Sequence, residues 1–164
     1  ALVATAIFLA LVYRVLVGRA AFGVINLFPI VVAVALLAGT MRLLDIPFNA
    51  LTATILAIAL GLGVDYSAHV VHRFTDEYDW EADERDVDEQ AAVVAALDRT
   101  VRGTGGALTG SMVTTVSGTA ILVLAITPVL GQFGLVTALS IFYSYLTAVA
   151  LTPSVVVVWA RYAR

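Results

Sequence analysis

Neither cysteine nor lysine occurs in this chain of 164 residues, and charged side chains of any kind make up only 13% of it. Without cysteine, disulfides and thiolate metal sites are excluded. With hydrophobic residues at 61%, so few charges leave too little polar surface to cover a water-soluble globule. Lipid is therefore the expected solvent for most of the chain, and we predict no soluble domain large enough to fold by itself.

The hydrophobic residues are grouped in runs of roughly 20, the length that a helix needs to cross a hydrocarbon core of about 30 Å. A helix satisfies its own backbone hydrogen bonds, as lipid requires. The opening run reaches Arg14 after thirteen residues, so it predicts a helix cut short of a full span. The sequence thus predicts an all-α, polytopic membrane protein, one transmembrane domain over residues 1–164 with about five spans. The predicted spans cover residues 1–17, 22–44, 48–71, 107–127 and 131–159.

A polar stretch, residues 73–106, separates the third and fourth predicted spans. Its first part holds nine acidic residues within fourteen positions, from Asp76 to Glu89, which predicts a solvated loop. Apolar residues then recur at spacings of three and four, typical of an amphipathic helix at the membrane surface, although a merely solvated linker helix fits too. Those positions are Val87, Ala91, Val94, Leu97 and Val101. A sharp turn into the next span is predicted at the glycines that follow, Gly103, Gly105 and Gly106.

The arginines predict the orientation, because cytoplasmic loops near span ends carry the positive excess. If five spans alternate, eight of the nine arginines fall on one side and only Arg42 on the other. The eight are Arg14, Arg19, Arg73, Arg85, Arg99, Arg102, Arg161 and Arg164. We therefore predict a multi-pass protein of the plasma membrane, whose acidic loop and carboxyl-terminal end are cytoplasmic. A lysine-free acidic loop suits a high-salt cytoplasm, but an ordinary disordered loop explains it equally well.

Asp65 is the only acidic residue inside any predicted span. At about 1.5 Å per residue it lies roughly 12 Å inward from Arg73, within the bilayer and displaced towards the cytoplasmic side. A carboxylate there costs at least about 2.5 to 3.5 kcal/mol, so it needs a partner, a water-filled cavity or a proton. Desolvation favours the protonated form, a property that a proton relay requires. The alternative is an aspartate fixed by one hydrogen bond that only holds helices together.

Two kinds of side chain near Asp65 could assist proton transfer. His69 lies one helical turn away and His72 another turn on, so the three share a face that leads to the cytoplasmic surface. Imidazoles suit a proton exit path, but His72 is better explained as an interface anchor, and a neighbouring helix could equally satisfy His69. Tyr66 can donate a hydrogen bond, but it points about 100° around the helix from Asp65. Its partner is expected on another helix, unless it belongs to an aromatic belt at the span end.

The fourth predicted span carries a small, hydroxyl-rich face. Small residues let helices approach closely, and hydroxyls bond across the gap, so we expect this face to meet the Asp65 helix. Packing is the default explanation, and a role in carrying protons or orienting Asp65 is the alternative. The face consists of Ser111, Thr114, Thr115, Ser117 and Gly118, with Gly106 and Gly110 below it.

Several kinds of functional motif are missing from the sequence. It contains no phosphate-binding loop, zinc-ligand spacing, nucleophile elbow or basic patch for nucleic acid. We therefore expect neither an enzyme nor a nucleic-acid-binding protein, and we expect no metal and no other cofactor.

One motif in the third span resembles that of a known family. The motif is Gly61-Leu62-Gly63-Val64-Asp65-Tyr66-Ser67-Ala68-His69, and an Ile46-Pro47-Phe48-Asn49 turn precedes it. With the amphipathic helix and the Gly/Ser/Thr-rich span that follow, these residues resemble transporters of the RND superfamily, and most closely its MMPL-like and sterol-sensing-domain-like exporters. The resemblance covers nearly the whole chain and corresponds to spans two through six of one six-span half.

A function is implied by the resemblance alone. In such transporters two related halves pack together, and the aspartate of this helix belongs to a proton relay that drives efflux. By this resemblance Asp65 is the relay carboxylate and Tyr66 its companion, while the hydroxyl residues match only loosely: Ser111, Thr114 and Thr115. His69 completes the predicted relay, and Gly61 and Gly118 complete the supporting small face.

The partners implied are membrane lipid, protons, a hydrophobic or lipid substrate and a second transmembrane half. Two other functions stay open. One is a lipid- or sterol-sensing regulatory module that shares the bundle but moves nothing. The other is an accessory protein-export component of the same superfamily, which couples proton flow to the movement of a secreted chain.

Overall fold

The computed structural model describes the backbone of residues 2–16, 21–84 and 89–162, and the side chains of residues 3–15, 25–78 and 91–158. Apart from a short 3₁₀ helix at Ile121–Leu124, the regular elements are α-helices. The predicted all-α membrane helix bundle is thus confirmed. The α-helices are α1 (Leu2–Leu16), α2 (Ala21–Leu43), α3 (Ala50–Glu84), α4 (Glu89–Ala120) and α5 (Pro128–Tyr162).

The described residues include four helical stretches that are long and apolar enough to cross a membrane. These stretches are Ile25–Leu43, Ala50–Tyr78, Ala91–Leu124 and Pro128–Val158. α1 is apolar too, but it has only 15 residues, which corresponds to a length of about 22 Å. The expectation of a first helix cut short of a full span stays a prediction.

The connection from α2 to α3 fixes the start of the helix that carries Asp65. Asp45 adopts the left-handed backbone conformation with φ 51°, and its carboxylate pairs with Arg42 at 3.2 Å. Asn49 then caps α3: its Oδ1 accepts the amide of Thr52 at 3.0 Å, while Thr52 Oγ1 accepts the amide of Asn49 at 2.8 Å. This reciprocal pair satisfies two backbone donors at the helix start.

The polar stretch between the third and fourth spans is helical, so the predicted solvated loop is wrong for its described residues. α3 continues to Glu84 and α4 begins at Glu89, while residues 85–88 lie outside the described residues. The predicted turn is also wrong, because α4 runs unbroken through Gly103, Gly105 and Gly106. A glycine costs a helix about 1 kcal/mol relative to alanine, whereas a break near lipid would leave several backbone groups unsatisfied at several kcal/mol each.

The first turns of α4 bury a different face from the predicted amphipathic stripe. Within that stripe Val94 is 62% exposed and Val101 46%, and Val87 lies outside the described residues. The buried side chains are instead Ala92, Val93, Ala96 and Thr100. Ala96 belongs to one buried cluster with Phe74 of α3. The predicted surface helix is therefore the beginning of α4, and it turns small residues towards α3 because the two helices pack side by side.

An ion-pair cluster joins the same ends of α3 and α4. Glu77 pairs with Arg73, one turn earlier in α3, and with Arg99 of α4 at 3.6 Å, while its own side chain is only 11% exposed. Arg73 also lies close to α4, since a Cβ at Gly103 would stand 3.7 Å from Arg73 Nε, an ordinary contact distance. Part of the predicted acidic loop thus forms a buried contact between two helices.

Close packing of α3 against α2 and α5 sets the direction of Asp65. A Cβ at Gly63 would stand 3.3 Å from Ser144 Oγ of α5 and 3.5 Å from Ile30 Cγ1 of α2. Gly63 therefore faces the core of the bundle. Residues two apart on a helix point about 200° apart, so Asp65 faces away from α2 and α5, on a side where α4 is the neighbouring helix.

Candidate functional site

A groove of about 370 Å³ lies between α3 and α4. It falls inside the two apolar stretches Ala50–Tyr78 and Ala91–Leu124, yet its lining includes a carboxyl, an imidazole, a phenol and several hydroxyls. The lining residues are Leu62, Asp65, Tyr66 and His69 from α3, and Thr104, Ala107, Leu108, Ser111 and Thr115 from α4. The structure thus brings the predicted relay residues together with part of the predicted hydroxyl face.

Asp65 and His69 are exposed side chains that open onto this groove. They lie one helical turn apart on α3, so both project to the same side. Neither makes a hydrogen bond or an ion pair with any other described residue. An aspartate that only holds helices together would need such a partner, and the described part of the chain offers none.

The α4 wall of the groove contributes hydroxyl oxygens. Thr115 Oγ1 donates to the carbonyl of Ser111 at 2.7 Å, a common bond for threonine in a helix. That bond uses the hydroxyl proton, but it leaves lone pairs on the oxygen for a donor in the groove. Thr104 is a third lining hydroxyl. It is not predicted from the sequence, because the glycines around it indicate a turn where the structure has a continuous helix face.

Three residues of the predicted site lie outside the groove. Thr114 is exposed and its Oγ1 donates to the carbonyl of Gly110 at 3.0 Å; it is rotated about 100° from Thr115. Gly118 is not a lining residue, and neither is Gly61. A Cβ at either glycine would meet nothing within 4 Å. The predicted supporting face is therefore divided: Ser111 and Thr115 lie at the groove, Thr114 and Gly118 lie on an open side of α4, and Gly61 is an exposed position of α3.

Tyr66 is buried, in contrast to its neighbour Asp65. Its ring makes a T-shaped contact with Tyr145 of α5, with the ring centroids 6.1 Å apart and the planes at 79°. The rotation of about 100° between adjacent helix positions explains why one side chain opens onto the groove while the other packs inward. Tyr66 also lines the groove, so it forms the boundary between the groove and the core.

His72 continues the helix face beyond the groove. Its Nδ1 lies 3.2 Å from Asp76 Oδ2, and both side chains are largely exposed. It is not among the groove-lining residues. The line from Asp65 through His69 to His72 thus leads out of the groove along α3, towards the end that carries the Glu77 cluster.

The groove offers one carboxyl, one imidazole and several hydroxyls, which are groups that exchange protons or orient them through hydrogen bonds. Among the described residues, no group of three or more His, Asp or Glu side chains is placed to hold a metal ion. Carboxyl, imidazole and hydroxyl groups are the types of side chain that can take part in proton transfer.

Comparisons with known proteins give a family match and one relative. The model of the MMPL family matches residues 1–164. A protein of Methanocaldococcus jannaschii, named "Putative membrane protein MJ1562", is 34% identical over 139 residues, which are 85% of this chain and 34% of that protein. The chain thus spans about a third of the length of this relative. No solved structure matches the chain. With a family match over all its residues and helices that can cross a membrane, the chain belongs to the MMPL family.

Proposed function

We propose that this chain is the transmembrane half of an RND-type exporter that is driven by the proton-motive force and moves lipids or other hydrophobic compounds. Asp65 takes up and releases a proton as the helix bundle rocks. The observation that carries the proposal is the placement of Asp65: from an apolar helix it opens onto a groove that holds other polar side chains, without a partner among the described residues.

The energetic argument favours a titrating group over a structural one. An acid within the bilayer costs at least about 2.5 to 3.5 kcal/mol, and a single hydrogen bond between membrane helices returns only about 0.6 kcal/mol on average. Asp65 does not gain even that bond from a described residue. In this proposal a proton, or water in the groove, meets the cost, and either one allows the group to change its charge.

His69 and the hydroxyls supply the proposed proton route. His69 is one turn from Asp65, and its imidazole is the side chain best suited to proton exchange near neutral pH. Ser111 and Thr115 line the opposite wall and could orient the carboxyl or a bridging water. Tyr66 is the companion of Asp65 in this proposal, with a ring that separates the groove from the core.

The second transmembrane half is the proposed protein partner, and the open side of α4 is its proposed docking face. In an apolar 18-residue segment of α4 only 6% of the residues are buried, against 44% in the corresponding segment of α3. Small residues at every fourth position make a ridge suited to close helix contact. That ridge consists of Gly106, Gly110, Thr114 and Gly118, all exposed.

The other expected properties follow from the family and from the charge pattern. MMPL family members are transporters and not enzymes, which supports the expectation that this chain catalyses no covalent step. Membrane lipid, protons and a hydrophobic substrate are the proposed small partners. The arginine asymmetry supports a multi-pass protein of the plasma membrane with the 73–106 side in the cytoplasm.

The test replaces Asp65 by asparagine in the intact protein, reconstituted in vesicles with an imposed pH gradient. Asparagine keeps the shape and most of the hydrogen-bonding capacity but cannot titrate, so we expect proton-driven export to be abolished at unchanged abundance. The readouts are transfer of a fluorescent phospholipid analogue and the internal pH, reported by a trapped dye. Asp65→Glu is the titratable control. Asp45→Asn, at a side chain that is 90% exposed, controls for loss of an acid elsewhere.

A second readout does not depend on the choice of substrate. Hydrophobic carbodiimides modify protonated carboxyls in apolar surroundings, and mass spectrometry can locate the modified residue. We expect labelling at Asp65 that rises as the pH falls. Export by Asp65→Asn close to that of the unmodified protein would overturn the relay and favour the lipid-sensing module.

A further inference from the structure

A contact among three helices closes the groove on its inner side. Tyr66 of α3 and Tyr145 of α5 meet edge to face, and both pack in one cluster with Leu108 of α4. Tyr66 and Leu108 are also groove-lining residues. Tyr145 of α5 thus packs against residues of both walls of the groove.

Tyr145 is fixed to α4 by a chain of two hydroxyl bonds. Its phenolic oxygen lies 2.6 Å from Thr109 Oγ1, which in turn lies 2.6 Å from the carbonyl oxygen of Gly105. Each hydroxyl has one proton and the carbonyl can only accept. Both bonds form only if Tyr145 donates to Thr109 and Thr109 donates to Gly105. The bond thus ties α5 to the part of α4 that builds the groove wall.

We propose that Tyr145 and Thr109 are positioning residues that hold α4 at its distance from α3 and so set the width of the groove beside Asp65. Neither residue lines the groove, so both act through the residues that do, Tyr66 and Leu108. The prediction about transport rests on the proposed function, whereas the prediction about distance does not.

α5 carries a matched pair that serves as an internal control. Tyr143, two residues before Tyr145, has its phenolic oxygen 2.8 Å from Thr40 Oγ1 of α2. Thr40 likewise donates to a backbone carbonyl one turn earlier, that of Leu36, at 2.9 Å. The two pairs have the same chemistry, but this one ties α5 to α2 and not to the groove wall. Comparison with Tyr143→Phe therefore distinguishes the general effect of losing an interhelical tyrosine hydrogen bond from the specific effect of losing the Tyr145–Thr109 bond.

The distance test uses two spin labels in the intact protein in vesicles. Ile58→Cys on α3 and Val113→Cys on α4 provide the labels in a protein without other cysteines; residues 1–164 contain none, and these side chains are 43% and 51% exposed. Pulsed electron paramagnetic resonance then measures the α3–α4 distance. We expect Tyr145→Phe and Thr109→Val to shift or broaden the distribution. Thr109→Ser, which keeps the hydroxyl, and Tyr143→Phe should leave it unchanged.

The transport test uses the same variants at equal abundance. A bond of about 0.6 kcal/mol corresponds to about a threefold change in an equilibrium constant. Tyr145→Phe should therefore lower proton-driven export about threefold. Export by Thr109→Ser should be higher than export by Thr109→Val, because serine keeps the hydroxyl. Because Tyr145→Phe and Thr109→Val remove one and the same bond, the double variant should match either single variant. Equal effects of Tyr145→Phe and Tyr143→Phe on the distance would overturn the proposal. A shifted distance together with normal export by Asp65→Asn would support the positioning role and refute the relay alone.

Discussion

Replacing Glu77 by glutamine should release the ends of α3 and α4 from each other. Its carboxylate, only 11% exposed, pairs with Arg73 of α3 and Arg99 of α4, and glutamine fills the same space without the charge. Breaking a fully buried pair costs about 3 to 5 kcal/mol. Here the arginine side chains are 49% and 38% exposed, so water compensates part of the loss. We expect these helix ends to be destabilised by about 1 to 3 kcal/mol.

The neighbouring acid provides the control for this experiment. Asp76 also pairs with a base one turn away, His72, but both side chains are more than half exposed, and such pairs contribute about 0.3 to 0.5 kcal/mol. Amide hydrogen exchange in residues 73–84 and 89–100 should accelerate about 5- to 150-fold in Glu77→Gln and little in Asp76→Asn. Equal rates in the two variants would refute the role assigned to Glu77. Unprotected amides over 73–84 in the unmodified protein would instead restore the predicted loop.

Two further predictions test the packing and the orientation. Gly134→Ala should lower the stability of the detergent-solubilised protein by about 1 to 3 kcal/mol, because the new Cβ would stand 2.7 Å from the backbone oxygen of Thr119. Gly39→Ala is the control: its Cβ would have nothing within 4 Å, so the change should be neutral or stabilising by up to about 1 kcal/mol. Equal melting temperatures of the two variants would contradict the close approach of Gly134 to Thr119. A membrane-impermeant thiol reagent should label Phe48→Cys in intact cells but Asp83→Cys only after lysis, because the arginine excess directs the Asp83 side to the cytoplasm. The reverse labelling pattern would show that the predicted topology is inverted.

The helical spans are predictable from the sequence because crossing a membrane is a local property of chain length and hydropathy. A run of roughly 20 apolar residues suffices to identify a span without knowledge of its neighbours. The start of α3 near Asn49 is also local, since Asn49 and Thr52 bond to each other's backbone amides. Asp65 stands out in the same way, since an acid inside an apolar run is costly wherever the rest of the chain lies.

Local rules of this kind do not predict that α3 continues to Glu84 or that α4 already begins at Glu89. The acidic run after Asp76 and the three glycines of α4 both indicate irregular structure by themselves. What keeps them helical lies on the other helix: Glu77 pairs with Arg99, and Ala96 packs with Phe74. Contacts between residues distant in sequence outweigh weak local preferences of about 1 kcal/mol per glycine, and a single sequence does not reveal which contacts those will be.

The composition of the groove was decided by tertiary structure alone. The sequence shows that a carboxyl and a set of hydroxyls occur in adjacent spans, but it does not show that Thr104 joins them while Thr114 and Gly118 turn away. A membrane helix is apolar on nearly every side, so its hydropathy pattern does not specify its rotation. The rotation of α3 and α4 is fixed instead by interlocking contacts, such as Gly63 against Ser144 and Tyr66 against Tyr145, because close packing permits few ways for the helices to fit together.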